Sequence, residues 1–119
     1  MSVTPSQFDL LSRLLDVTSL RHRVIAQNVS NVNTPGYRRQ EVSFEDALRD
    51  HLLHSHGSPL SSVQAAVVED PQGTMRQDGN NVDIDIEVGR LNKNTLLYGA
   101  YSQILAAKIA AMRAAIGGR

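Results

Sequence analysis

The sequence predicts a mainly α fold in which long N- and C-terminal helices pair as an antiparallel, coiled-coil-like unit, with a short helix and a loop-rich segment between them. Three observations predict it. Apolar residues recur at steps of three and four near both ends of the 119-residue chain, the spacing that gathers side chains on one helical face. Gly57, Pro59, Pro71, Gly73 and Gly79 punctuate the stretch between, where neither a long helix nor a regular strand can run through. Aromatic residues make up only 4% of the chain and tryptophan is absent. Leu, Ile, Val and Ala must then supply the burial, which suits helix-on-helix packing better than a closed globule. The length fits one domain, divided into an N-terminal helix (1–33), a turn, short helix and loop region (34–81) and a C-terminal helix (82–119).

The first helix is expected from about Pro5 to Asn31. Thr4 can cap it, Pro5 takes the first helical position, and Gln7 stands where a capping box needs its reciprocal partner. Leu11, Leu14, Thr18, Arg21, Ile25 and Asn28 form one row, and Leu10, Leu14, Val17, Leu20 and Val24 form a second beside it. The stripe is therefore broad, on a helix about 40 Å long. Pro35 stops it, because the residue before a proline avoids helical geometry.

Pro35-Gly36 fits the central pair of a type II turn, with Gly36 supplying the positive φ. Residues 34–43 then turn and run extended. Ser43 is expected to cap a short helix from Phe44 to about His54, with Asp46 as the acidic half of its capping box. Residues 55–81 read as loop, with Val63 to Val68 as a short strand.

The C-terminal segment carries the strongest pattern. Ile84, Val88, Leu91, Thr95, Tyr98, Ser102, Leu105, Ile109, Met112 and Ile116 alternate steps of four and three, a seam sustained past four heptads. Leu97, Tyr101, Ile104, Ala111 and Ala115 widen it, and Ala106, Ala107, Ala110 and Ala114 allow close approach of another helix. Asp83, Asp85 and Glu87 open this helix of about 50 Å, and no acidic residue follows Glu87. Arg90, Lys93, Lys108 and Arg113 come later and Gly117-Gly118 ends it, an order that complements the helix dipole.

Both stripes are wider than a two-helix seam can hide, so apolar surface is left for other subunits. Leu11, Leu14, Ile25, Val88, Leu91, Tyr98, Leu105, Ile109 and Met112 form the expected assembly seam, with Tyr98 buried once assembly is complete. A self-contained helical hairpin, working as a binding module that docks a partner without polymerising, stays open on periodicity alone.

Composition excludes other classes. Twelve basic and twelve acidic residues balance to zero, without the basic excess of a nucleic-acid binder. The five positive charges from Arg90 to Arg119 are spread along the helix, as a solvated face has them. There is no cysteine for a disulfide, a thiolate ligand or a nucleophile. No basic cluster followed by an apolar run opens the chain, so export would need a route other than a Sec signal. No stretch approaches the roughly 20 apolar residues of a membrane span.

Chemistry is sparse. His51, His54 and His56 form the one group with metal-ligand character, but no second cluster completes a site, and a solvated helix end explains them. Asp83, Asp85 and Glu87 do not begin a calcium loop, since the glycine and glutamate of that pattern are missing from the sixth and twelfth positions. No nucleophile elbow, phosphate-binding loop or dinucleotide fingerprint occurs. No cofactor and no catalytic site is expected.

Two motifs remain. Asn28, Asn31, Asn33, Thr34, Pro35, Gly36 and Tyr37 mark the end of the first helix, where asparagine tolerates left-handed geometry and Pro-Gly redirects the chain. This stretch resembles the A-N-x-x-N-x-x-T-P-G-Y motif of the flagellar rod and hook axial proteins. Asp78, Gly79, Asn80, Asn81, Val82 and Asp83, followed by Asn94 and Tyr98, look like the junction signature of the proximal rod members of that family. The resemblance runs from Leu10 to Met112 and is weakest between residues 52 and 74. It implies a non-enzymatic subunit of the drive shaft of the bacterial flagellar basal body. It further implies export through the flagellar type III apparatus and polymerisation in the periplasm. The partners it implies are the FliE adaptor, the other rod proteins, the export apparatus and copies of the chain itself.

Overall fold

The computed structural model describes residues 5–54 and 57–117. Thr4, His56 and Gly118, named above, lie outside them. Helix α1 spans Pro5–Ser30, strand β1 Gln40–Ser43, helix α2 Glu45–His54, strand β2 Ala66–Glu69 and helix α3 Ile84–Ile116, with a single 3-10 turn at Leu60–Ser62. The chain is elongated, 64 × 30 × 14 Å.

The two long helices pack antiparallel. Lys108 donates to the Gln7 side chain, Asn94 to the Thr18 carbonyl and Asn28 to the Glu87 carboxylate. Low numbers on α1 thus meet high numbers on α3. Thr18 and Asn28 belong to the first α1 row of the sequence pattern, and Leu11 and Ile25 on it are buried.

The second α1 row does something different. Val17 and Val24 join Val42, Phe44 and Val63 in the hydrophobic core, with Leu14, Leu20, Leu48 and Ala65 packed against it. The core therefore lies between α1 and the middle segment. The breadth of the α1 stripe is explained by two neighbours on adjacent faces.

The middle segment is more ordered than a loop. β1 and β2 pair antiparallel with Gln40 opposite Glu69 and Ser43 opposite Ala66. The expected strand at Val63–Val68 is thus shifted to Ala66–Glu69, because Val63 turns inward as a core residue. Ser43 ends β1 instead of capping α2, so the expected Ser43–Asp46 capping box is absent. Phe44 occupies that position, buried, and its carbonyl accepts from the Leu48 amide at 2.9 Å.

Asp83 caps α3 as its composition suggested, accepting from the amides of Asp85 at 3.0 Å and Ile86 at 3.4 Å. The face that α3 turns toward α1 coincides only in part with the apolar repeat. Glu87 and Asn94 are its buried residues, and Leu91, Ser102 and Leu105 of the repeat are half-buried, whereas Ile84, Val88, Ile109 and Met112 stay exposed. Polar groups share the contact with half of the apolar row, and the other half lies beside it.

Phe44 is the largest fully buried side chain. Phe44→Ala should cost about 3–5 kcal/mol, seen as an earlier midpoint in urea unfolding followed by helical circular dichroism.

Candidate functional site

Helix α1 ends because its last carbonyls find other donors. The Asn31 amide is shared between the carbonyls of Gln27 and Asn28, both at 3.1 Å, and Asn31 Nδ2 donates to the Gln27 carbonyl at 2.8 Å. Thr34 donates from its amide to the Asn31 carbonyl at 3.0 Å and from its hydroxyl to Asn31 Oδ1 at 3.1 Å. Pro35-Gly36 then makes the type II turn, with φ 75° at Gly36 and the Tyr37 amide returning to the Thr34 carbonyl at 3.2 Å. Among the described residues no asparagine adopts positive φ. The left-handed role expected for them is replaced by side-chain hydrogen bonding. Asn33 is exposed, and no described contact assigns it a part.

The two motifs, far apart in the chain, are built against each other. Asn80 Nδ2 donates to the carbonyls of Asn31 and Thr34, each at 2.8 Å. The Gly36 amide donates to the Asp78 carbonyl at 2.9 Å, and the Asn81 amide to the Tyr37 carbonyl at 3.4 Å. Gly79 has φ 85°, and a Cβ there would stand 3.4 Å from Gly36 Cα. The two glycines meet at the crossing, and both take a positive φ that glycine adopts at no steric cost. Asp78 Oδ1 and Asn80 Oδ1 accept from the amides of Asn80 and Val82, which shapes the second loop from within. Arg76 then clamps both strands of the junction, donating to the carbonyls of Val82 and Val32.

Beneath this junction lies a buried polar cluster. Arg39 Nε donates to Glu87 Oε1 at 2.6 Å, with the side chains 4% and 0% exposed. Arg39 also pairs with Asp70 and, at 2.9 Å, with Glu41. Asn28 is fully buried. Its Nδ2 donates to the Gln40 carbonyl and to Glu87 Oε2, and its Oδ1 accepts from the Gln40 amide and the Tyr37 hydroxyl. Asn81 accepts from the Arg39 amide at 2.6 Å and donates to the Asp70 carbonyl at 2.9 Å.

Electrostatics follows from this packing. Burial works against the Arg39 charge, but its bonds to Glu87, Glu41 and Asp70 outweigh that and raise its pKa. Burial and the Glu87 charge push the Tyr37 hydroxyl up, so it stays a donor. Burial would raise the Asp70 carboxyl, yet the Gln72 amide and Arg39 hold it below its ordinary value.

Sequence reasoning missed Arg39 and Asp70 and took Glu87 only as an acid complementing the helix dipole. No local signal marks them, since the cluster draws on α1, β1, the residues after β2 and α3. Among the assembly-seam residues, Leu14, Leu91 and Leu105 are half-buried in addition to the two buried on α1, while Val88, Tyr98, Ile109 and Met112 are exposed. Tyr98 and Asn94 line a cleft with Thr18, Ser19, His22 and Arg23 of about 400 Å³. Asn94 is buried, but its Oδ1 has no protein hydrogen-bond partner among the described residues. Of the expected histidine group, His51 and His54 are described and turn to different partners. His51 contacts the Ser58 carbonyl and His54 contacts Asp50.

No family model matches the chain. It is 35% identical to the flagellar basal body rod protein FlgB of Borrelia hermsii, over 89% of this chain and 92% of that one. Identity with the FlgB protein of Borreliella burgdorferi is 34%, over 82% and 86%. With that of Bacillus subtilis it is 25%, over 99% and 98%.

Two outcomes are expected from the cluster. Arg39→Leu strands a buried carboxylate and should cost about 3–5 kcal/mol. Adding Glu87→Leu should recover most of that loss, as read from urea midpoints of the two variants. The second concerns pH. Because the folded-state pKa of Asp70 lies below the ordinary 3.8, its contribution is complete above that value and fades as pH falls through the folded-state one. Asp70→Asn should therefore lower stability at pH 7 by about 1–2 kcal/mol, and the gap to the native chain should close in thermal melts on going below pH 4.

Proposed function

The chain belongs to the FlgB family of flagellar basal body rod proteins, and we propose that it is a structural subunit of the proximal rod that polymerises through its terminal helices and transmits torque. The second half of α3 carries the proposal. From Asn94 to Ile116 only Lys108 and Arg113 are charged, yet Leu96, Tyr98, Ile104, Ile109, Met112 and Ile116 stand in solvent, Ile116 at 81% exposure. A helix apolar around most of its circumference is stable when covered on several sides. Within one chain α1 covers a single side. Gln7 meets Lys108, so the last turns of α3 run past the described part of α1. Residues 111–117 are exposed throughout.

The motif junction supplies the other mechanical requirement. Several of its struts are hydrogen bonds or ion pairs between distant parts of the chain, and a buried charge pair resists partial opening because either partner alone is costly to bury. Torque passed along the helices is then carried into the middle segment without hinging. A non-enzymatic role is part of the proposal, supported by relatives that are rod proteins. Among the described residues no helix is long and apolar enough to cross a membrane. The proposal includes export through the type III apparatus, a periplasmic place in the rod, and contact with the FliE adaptor and the other rod proteins, with the family resemblance as its support.

A module that docks one partner without polymerising would use the cleft at Asn94 and Tyr98 and leave the end of α3 uncovered. Ile109→Asp and Ile116→Asp separate the two readings, since both positions are exposed and neither supports the fold. Each variant should keep its helical content and its export while losing rod incorporation and swimming. Normal motility in both would overturn the assembly reading.

A further inference from the structure

We infer that the outer edge of β2 is a docking site for an extended segment of another protein, which joins the two-stranded sheet as an antiparallel third strand with a basic residue opposite Glu69. The inference concerns the middle segment and stands apart from the reading of the terminal helices.

A two-stranded sheet has two outer edges, and α1 closes one of them. The Asn28 side chain takes both the amide and the carbonyl of Gln40, and Arg21 donates to the Val42 carbonyl. Gln40 and Val42 therefore point their backbone groups away from β2. In an antiparallel ladder such residues alternate with those that face the partner strand. Glu41 and Ser43 thus bond Val68 and Ala66, their opposites in the register. The Asp70 amide continues the ladder to the Arg39 carbonyl at 3.0 Å. The same alternation turns the amides and carbonyls of Val67 and Glu69 outward. Among the described residues no group bonds them, and an unpaired edge of this kind is a template for another strand.

Side chains decide what fits. All four residues of β2 are exposed. Val67 and Val68 lie on opposite faces of the sheet, so an added strand finds an apolar residue to cover on each side. Glu69 is exposed beside them. Arg39 answers Glu41 and Asp70, and no described cation pairs with Glu69. A segment running antiparallel to β2 therefore matches it with a basic residue opposite Glu69, followed by apolar residues opposite Val68 and Val67. Main-chain bonds supply the affinity of such a contact and the alternate side chains supply its selectivity. A second copy of β2 does not meet the requirement, because residues 64–70 hold two acids and no base and bring no cation to Glu69.

The test uses the intact, isotope-labelled chain, followed by NMR. The probes are the peptide acetyl-Ser-Thr-Lys-Val-Ile-Thr-Ser-amide and the same peptide with Glu in place of Lys. Before addition, the amides of Val67 and Glu69 should exchange with solvent quickly and those of Ala66 and Val68 slowly. The lysine peptide should shift the Val67 and Glu69 amides, slow their exchange, and bind about fivefold more tightly than the glutamate peptide. Glu69→Lys should reverse that order. Val67→Pro removes only an outward amide, which an edge strand tolerates. Its helix content by circular dichroism should hold while both peptides bind about tenfold more weakly. Val67 and Glu69 amides that stay unmoved would overturn the inference, as would equal affinity for the two peptides or native-like binding to Val67→Pro. Protection of those amides that grows with protein concentration alone would also overturn it, by putting a second copy in the partner's place.

Discussion

The buried Glu87–Arg39 pair, with Asn28 bridging it to α1, is the interaction on which the rest of this structure depends. It joins α3 to β1, while Asn28 holds the edge of that strand to α1 through both polar groups of Gln40. An ion pair of this kind contributes little net stability compared with a well-packed apolar replacement, but its partial loss is severe. Its value lies in specificity. A shift of α3 by one heptad would keep many apolar contacts with α1 and strand Glu87 against no cation. The long helices therefore have one register, set by polar groups, although most of their surface is apolar.

That constraint explains where the apolar surface goes. The hydrophobic core needs only one face of α1 and the side chains of the middle segment, led by Phe44. The face between the long helices is shared by Asn94, Thr18 and Glu87 with Leu11 and Ile25. With those demands met, half of the apolar row of α3 is left facing outward. In a monomeric domain such a row would be an aggregation liability. In the rod subunit proposed above it is the surface offered to neighbours.

The motif residues divide by the kind of work they do. Gly36 and Gly79 are glycines because both take a positive φ. Asn80 and Asn81 are asparagines because an amide offers a donor and an acceptor to backbone groups on two sides, and Asn31 bridges the Gln27 carbonyl and the Thr34 hydroxyl in the same way. Tyr37 closes the set by spanning from the turn to Asn28. A motif legible as punctuation at a helix end is, in three dimensions, half of a joint.

What the sequence by itself determined is local. The two long helices, the stop before Pro35, the Pro-Gly turn and the Asp83 cap follow from periodicity, φ preferences and nearby donors and acceptors, which act within a few residues of one another. The breadth of both apolar stripes was equally readable, and with it the expectation of surface left over. What only the tertiary structure decided is which face meets which. The rotation of α3, the displacement of the core toward the middle segment, the β1–β2 pairing and the meeting of the two motifs rest on groups tens of residues apart. Arg39 and Asp70 carried no local signal, and Glu87 read as a helix-end acid, because only chain closure removes the water around them. The energy of a charge depends on its surroundings, and the linear sequence does not contain those.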